Sequence, residues 1–200
     1  MKSCLFCFAL ICIAIVTEAQ TEKGNFLIGG GVSASRSSQT ISSSDITSTS
    51  FGLTPSASYF VVDRFAAGLI TSYSVGNATT ETAGGSVKTS NVSSGIGPTI
   101  RYYLPLGEKI WLFPEVDYLW NWNHSKIEAF GSTPTDSKSN SQTFRIGPGL
   151  AYFIAKNVGV EGILYYQNVN NNNTSASTST STSSINFRIG LQIYILRNKG

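Results

Sequence analysis

From Phe26 onward the chain alternates apolar and polar residues with a period of two, and it does so in eight separate segments. The apolar positions are Phe26, Ile28, Gly30, Val32 and Ala34; then Phe51, Leu53, Pro55, Ala57 and Tyr59; then Ala67, Leu69, Thr71, Tyr73 and Val75. Every second residue of 96–102, 112–122, 144–152, 158–166 and 185–195 follows the same rule. Successive side chains of a strand leave opposite faces, so each segment reads as a strand with one greasy face and one polar face. The intervening residues are mostly Gly, Ser, Thr, Arg, Glu, Asp and Gln, too small or too polar to form the core of a sandwich. In a soluble sheet the greasy face would need a second apolar layer, and no amphipathic helix is at hand to supply one. A closed barrel with its apolar face outward in lipid satisfies both the side chains and the backbone hydrogen bonds. The expected fold is therefore all-β: an eight-stranded antiparallel up-and-down transmembrane β-barrel.

The placement of charge tests this inside-out reading. After Ala19 there are 23 charged residues, of which 17 fall in candidate turns, loops or termini. The other six, Arg101, Glu115, Asp117, Arg145, Glu161 and Arg188, all occupy the polar parity of their strands. With two equivalent faces that agreement would arise roughly once in 64 trials. Three are positive and three negative, so the expected role is an interior network that neutralises itself and braces the barrel.

Only 12% of residues are charged, the net charge is +3, and Ser, Thr and Asn together make up about 31% of the chain. No basic patch of the kind a nucleic acid requires is present. All three cysteines, Cys4, Cys7 and Cys12, fall in an N-terminal segment where Lys2 precedes thirteen apolar residues, Cys4 to Val16, and Ala19 closes the run. Thirteen residues of helix cover about 20 Å, short of the roughly 30 Å hydrocarbon core. Residues 1–19 thus read as an export signal cut after Ala19, and 20–200 as the barrel domain.

The connections alternate between short (61–64, 104–109, 154–157) and long (36–48, 76–90, 123–140, 168–183). Outer-membrane barrels keep short turns and both termini in the periplasm and long loops outside. The long segments are low in complexity, such as Asn170 to Thr180, and are expected to be mobile. Tyr59, Tyr102, Trp111, Phe113 and Tyr152 lie near the short turns, and Tyr73, Trp120, Trp122 and Tyr166 near the long loops, which predicts two aromatic girdles. A recurring signature, Leu53-Thr54-Pro55, Ile96-Gly97-Pro98 and Ile146-Gly147-Pro148, places prolines inside strands, where a bulge would accommodate the missing donor.

On these residues the chain resembles the small outer-membrane β-barrel family, with OmpX-like and opacity-type proteins among its members. The resemblance runs over nearly all of 20–196. Within the last strand, Arg188, Gly190, Ile193 and Ile195 are similar to the family's polar-x-Gly-x-x-apolar-x-apolar signal. That implies outer-membrane lipid and the barrel assembly machinery as partners, and an extracellular ligand held by the loops.

Chemistry is sparse. The only histidine, His124, has Ser125 beside it on the opposite face, whereas a base and nucleophile on one strand need i,i+2 spacing. Glu128 lies nearby in a loop. One histidine and scattered carboxylates do not make a metal site, and Gly29-Gly30-Gly31 opens no helix that could hold a phosphate. No catalytic residue, metal or cofactor is expected. The functional expectation is a structural or surface-interaction barrel, with a small-solute channel as the alternative and a lipid-modifying enzyme as a lesser one.

Overall fold

The computed structural model describes residues 19–41, 44–82, 85–129, 131, 133–173 and 178–197. Residues 1–18 of the expected export signal lie outside them. A short 3-10 turn, Ala19–Thr21, leads into strands β1 (Phe26–Ile41), β2 (Ser44–Val62), β3 (Phe65–Thr82) and β4 (Gly85–Tyr102). A two-residue bridge, β5 (Leu104–Pro105), precedes β6 (Ile110–Ala129), β7 (Thr135–Ala155), β8 (Val158–Asn173) and β9 (Thr178–Ile195). Each long strand pairs antiparallel with its sequence neighbour, and β1 pairs with β9 to close a ring of eight.

Burial alternates along the membrane portion of each strand in the sense the sequence predicts. In β4 the exposed residues Ile96, Ile100 and Tyr102 interleave with buried Thr99 and Arg101. On β9, Ile189, Leu191, Ile193 and Ile195 face outward while Arg188, Gln192 and Tyr194 face in. The lumen is narrow enough to need glycine: a Cβ on inward Gly149 would strike the ring of Phe113.

Three features differ from the sequence expectations. First, the polar segments at the long-loop end are mostly strand. The β1–β2 ladder runs to Ile41 opposite Ser44, and β3–β4 to Thr82 opposite Gly85. Ser and Thr support this because their short side chains pair across the ladder: Ser35 with Ser50 and Ser37 with Ser48 at 2.7 Å, and Asn168 with Ser181 at 3.0 Å. Second, the prolines cause no bulge. Pairing of β2 with β3 skips Thr54 and Pro55 and resumes at Ser56–Ile70 in the same register, and β4–β6 and β7–β8 behave alike. A proline lacks one donor but adds no residue, so the ladder loses two adjacent pairings on one side only and keeps its register. The true register shifts lie between Phe60 and Val62 and between Phe153 and Ala155, beside the short turns. Third, Trp111 and Phe113 do not belong to a lipid-facing girdle. Both are buried in the lumen at 3% and 0% exposure, because their odd-numbered parity on β6 is the inward one. Tyr102 and Tyr152 at one end, and Tyr73, Trp120, Trp122 and Tyr166 at the other, do face outward.

Candidate functional site

The inward faces of the strands converge on two stacked layers that fill the short-turn half of the lumen. One layer is ionic. Arg101 on β4 reaches Glu115 on β6 through Nε at 2.5 Å and Glu161 on β8 through Nη1 at 2.8 Å. Arg188 on β9 pairs with the other oxygen of Glu115, and its Nη1 stands 4.0 Å from Asp117 Oδ2. Glu161, Arg101, Glu115 and Arg188 thus form an alternating chain across the lumen, drawn from four strands. All four, and Asp117, are at most 5% exposed.

Arg145 stands apart from this chain. Among the described residues it forms no ion pair; its Nε donates to Gln167 Oε1 at 2.8 Å and its guanidinium lies 5.6 Å from the Tyr165 ring centre. Tyr165 also carries Arg188, at 5.7 Å, on its ring. Backbone pairing sets Arg145 opposite Asp117, yet the side chain leans the other way, towards β8.

The second layer is aromatic, and the sequence pattern above did not single out its members as inward-facing. Phe60, Tyr103, Phe113 and Tyr194 are fully buried, with Phe153 and Trp111 close behind. Ring centres lie 5.7 Å apart for Phe60–Tyr103, 5.3 Å for Tyr103–Phe113 and 4.9 Å for Phe153–Tyr194, within the range of favourable ring contacts. The signal was available: in Tyr59-Phe60, Tyr102-Tyr103 and Tyr152-Phe153 the second aromatic has inward parity. The two layers are tied together, since the Tyr103 and Tyr194 hydroxyls donate to Glu161 Oε1 at 3.3 and 3.1 Å. Arg101 lies 5.1 Å from the Phe113 ring centre.

Residues 20–25 cross the mouth below the aromatics. Thr21 O accepts the Arg64 amide at 2.7 Å, Gln20 Nε2 donates to Lys156 O at 3.0 Å, and Asn25 Oδ1 accepts the Arg197 amide at 2.9 Å. Three separate points of the rim are therefore strapped together. Within the ionic layer one small cavity of about 10 Å³ is bounded by Gly30, Gly31, Arg101, Glu161, Arg188 and Gln192. That is room for a single water.

The long-loop half is different in kind. Its inward positions are mostly Ser, Thr, Asn and Gly, as at Ser72, Asn121, Ser141 and Thr143. The polar side chains there are exposed: Lys126 Nζ lies 2.8 Å from Glu128 Oε1, and His124 Nε2 3.6 Å from Asp136 Oδ1. His124 points outward and Ser125 inward, so the structure does not bring them together as base and nucleophile. Of the residues resembling an assembly signal, Ile193 and Ile195 face lipid, Gly190 sits against the Gly30 carbonyl, and Arg188 belongs to the ionic layer.

An inside-out ring of eight strands matches a known architecture. The model of the outer membrane protein β-barrel domain family matches residues 5–191. The chain belongs to this family. It is an integral protein of the bacterial outer membrane. Its fold is similar to the outer membrane protein OprG from Pseudomonas aeruginosa (13% identity, 90% of this chain and 99% of that one, TM-score 0.52). A major outer membrane protein from Thermus thermophilus is equally similar (11% identity, 86% and 99%, TM-score 0.52). Neisserial surface protein A has 18% identity over 86% of this chain and 97% of its own, with a TM-score of 0.48. No curated protein matches the sequence. The structural neighbours show the fold, while the family model shows membership.

Proposed function

We propose that this barrel is a plugged scaffold that holds a crown of polar β-hairpins above the outer membrane for contact with an extracellular partner. The observation that carries the reading is the double closure of the lumen by the Glu161–Arg101–Glu115–Arg188 chain and the ring cluster beneath it. Eight strands leave an interior just wide enough for side chains, and here side chains occupy it. A solute path would have to break a buried charge chain, and catalysis would need a base and nucleophile on one face. The hairpins, by contrast, continue beyond the outer aromatic belt as Ser/Thr/Asn-rich paired ladders with a few exposed charges of both signs, a hydrogen-bonding surface. The same account takes the six interior charges as structural, and Arg188, Gly190, Ile193 and Ile195 as the segment read by the barrel assembly machinery.

Two measurements on protein reconstituted into vesicles test it. Swelling in small sugars should be no faster than for protein-free vesicles. Adhesion of the vesicles to a surface coated with extracellular-matrix protein should fall when residues 77–90 and 170–181 are each replaced by a two-residue turn, with the barrel still folded. Rapid swelling with unchanged adhesion would favour the small-solute channel.

A further inference from the structure

Among the neighbouring long strands, one pair separates early. β1 and β9 pair from Phe26–Ile195 only as far as Val32–Ile189, whereas β1 stays paired to β2 up to Ile41 and β9 to β8 up to Thr178. Residues Ser33 to Ile41 and Thr178 to Arg188 are therefore two free sheet edges. The opening begins within the bilayer, because Ile185 pairs with Tyr166 of the outer aromatic belt and Phe187 lies deeper. Ile185 and Phe187 are 74% and 57% exposed beside this gap. Unpaired backbone groups at that depth are costly, and open edges do not persist in the hydrocarbon region. Proteins that leave an edge free usually guard it with charge, proline or a bulge. From Thr178 to Phe187 there is no charge and no proline, and Ser33 to Ile41 carries only Arg36.

We propose that these edges are the contact by which two copies of this chain associate, β1 of each pairing with β9 of the other about a twofold axis along the membrane normal. Within one barrel β1 and β9 run antiparallel, so such an axis brings both edge pairs together at once in the orientation they already have below the gap. Continuing the observed register across copies sets Ala34 beside Phe187 and Ser35 beside Asn186. The partner must itself cross the outer leaflet, since the edge starts among lipid-facing residues and ends above the belt. A soluble peptide could serve only the upper part, and a lipid cannot satisfy a row of backbone groups.

Each edge also belongs to a hairpin held along its length, by Ser35–Ser50 and Ser37–Ser48 on one side and by Tyr166–Ser183 and Asn168–Ser181 on the other. At the foot of the gap the Arg188 stem lies against Gly31, where a Cβ would come within 2.6 Å of Arg188 Cδ. Because Arg188 is tied to Glu115, β9 enters the gap with an anchored side chain. Closing the gap within one barrel would bend two braced hairpins, whereas a second copy pairs each edge as it stands. This inference is independent of what the crown binds.

Cysteine cross-linking in vesicles tests the proposal. Full-length chains carrying Ser35→Cys are co-reconstituted with chains carrying Asn186→Cys and oxidised, with wild type as the blank for Cys4, Cys7 and Cys12. The expected result is a dimer band in the mixture and none in either variant alone. No dimer band, or a Ser35→Cys/Asn186→Cys double variant that oxidises only to an internally bridged monomer, would overturn it. Should those variants fold poorly, photobleaching of dye-labelled wild type at high dilution in lipid decides the matter: two steps support the proposal and one step overturns it.

Discussion

The two halves of this barrel use the same kind of contact to different ends. Arg101–Glu161 in the lumen and Lys126–Glu128 on the crown both close to 2.8 Å. The first pair is at most 4% exposed, and the carboxylate also accepts from two tyrosines; the second is half exposed on both sides. In the lumen, losing one partner strands a charge away from bulk water, which is what makes the chain of four obligatory once built. On the crown, water replaces a lost partner at little cost. The lower half is thus specified residue by residue, and the upper half by ladder pairing and small polar side chains, which tolerate exchange.

The largest effect should come from removing the charge that joins the two arginines. Glu115→Ala leaves Arg101 with one carboxylate and Arg188 with the more distant Asp117, and is expected to cost about 3–5 kcal/mol, read by denaturant unfolding in lipid vesicles. Next, Leu150→Arg on the lipid face of β7 should cost about 2–4 kcal/mol in the same titration, whereas Ser137→Arg at an exposed position on the crown should leave the midpoint in place. Equal tolerance at the two sites would break the distinction between the halves.

Arg145 marks the boundary and sharpens the comparison. Because it donates to Gln167 and orphans no carboxylate by a direct pair, Arg145→Met should cost less than Glu115→Ala, about 1.5–3 kcal/mol for the charged hydrogen bond. A larger loss would mean that Asp117 depends on it. Smallest of all is Glu128→Gln. The Lys126 ammonium, hydrogen-bonded to the Glu128 carboxyl, holds it below its usual range, so the pair contributes above the ordinary carboxylate value and loses that contribution as the pH falls through the lowered one. With both groups in water, the unfolding midpoint is expected to be the same for wild type and variant between neutral pH and mild acid.

Strand number, facing and the inward set of charges were legible because a period of two survives any small error in where a strand begins. Trp111 and Phe113 were misplaced because nearness to a turn fixes height along the barrel, whereas parity fixes side, and parity decides. The hairpin crown was read as loops because Ser- and Asn-rich composition lacks the apolar alternation that announces a strand; its order comes from a partner strand already in register. The partners of Arg145 could not be read at all, since a long side chain chooses between neighbouring strands by rotamer. Nor does any pattern in 20–25 announce that Gln20 and Asn25 strap the rim, a role set by backbone contacts to Lys156 and Arg197.

The central claim is that the lumen is closed at the level of Arg101, Glu115 and Glu161. Single-channel recording of the wild-type protein in a planar bilayer at high salt tests it most directly. A closed lumen gives a baseline indistinguishable from bare lipid at moderate voltage; a stable ohmic conductance step that recurs with each insertion would contradict closure.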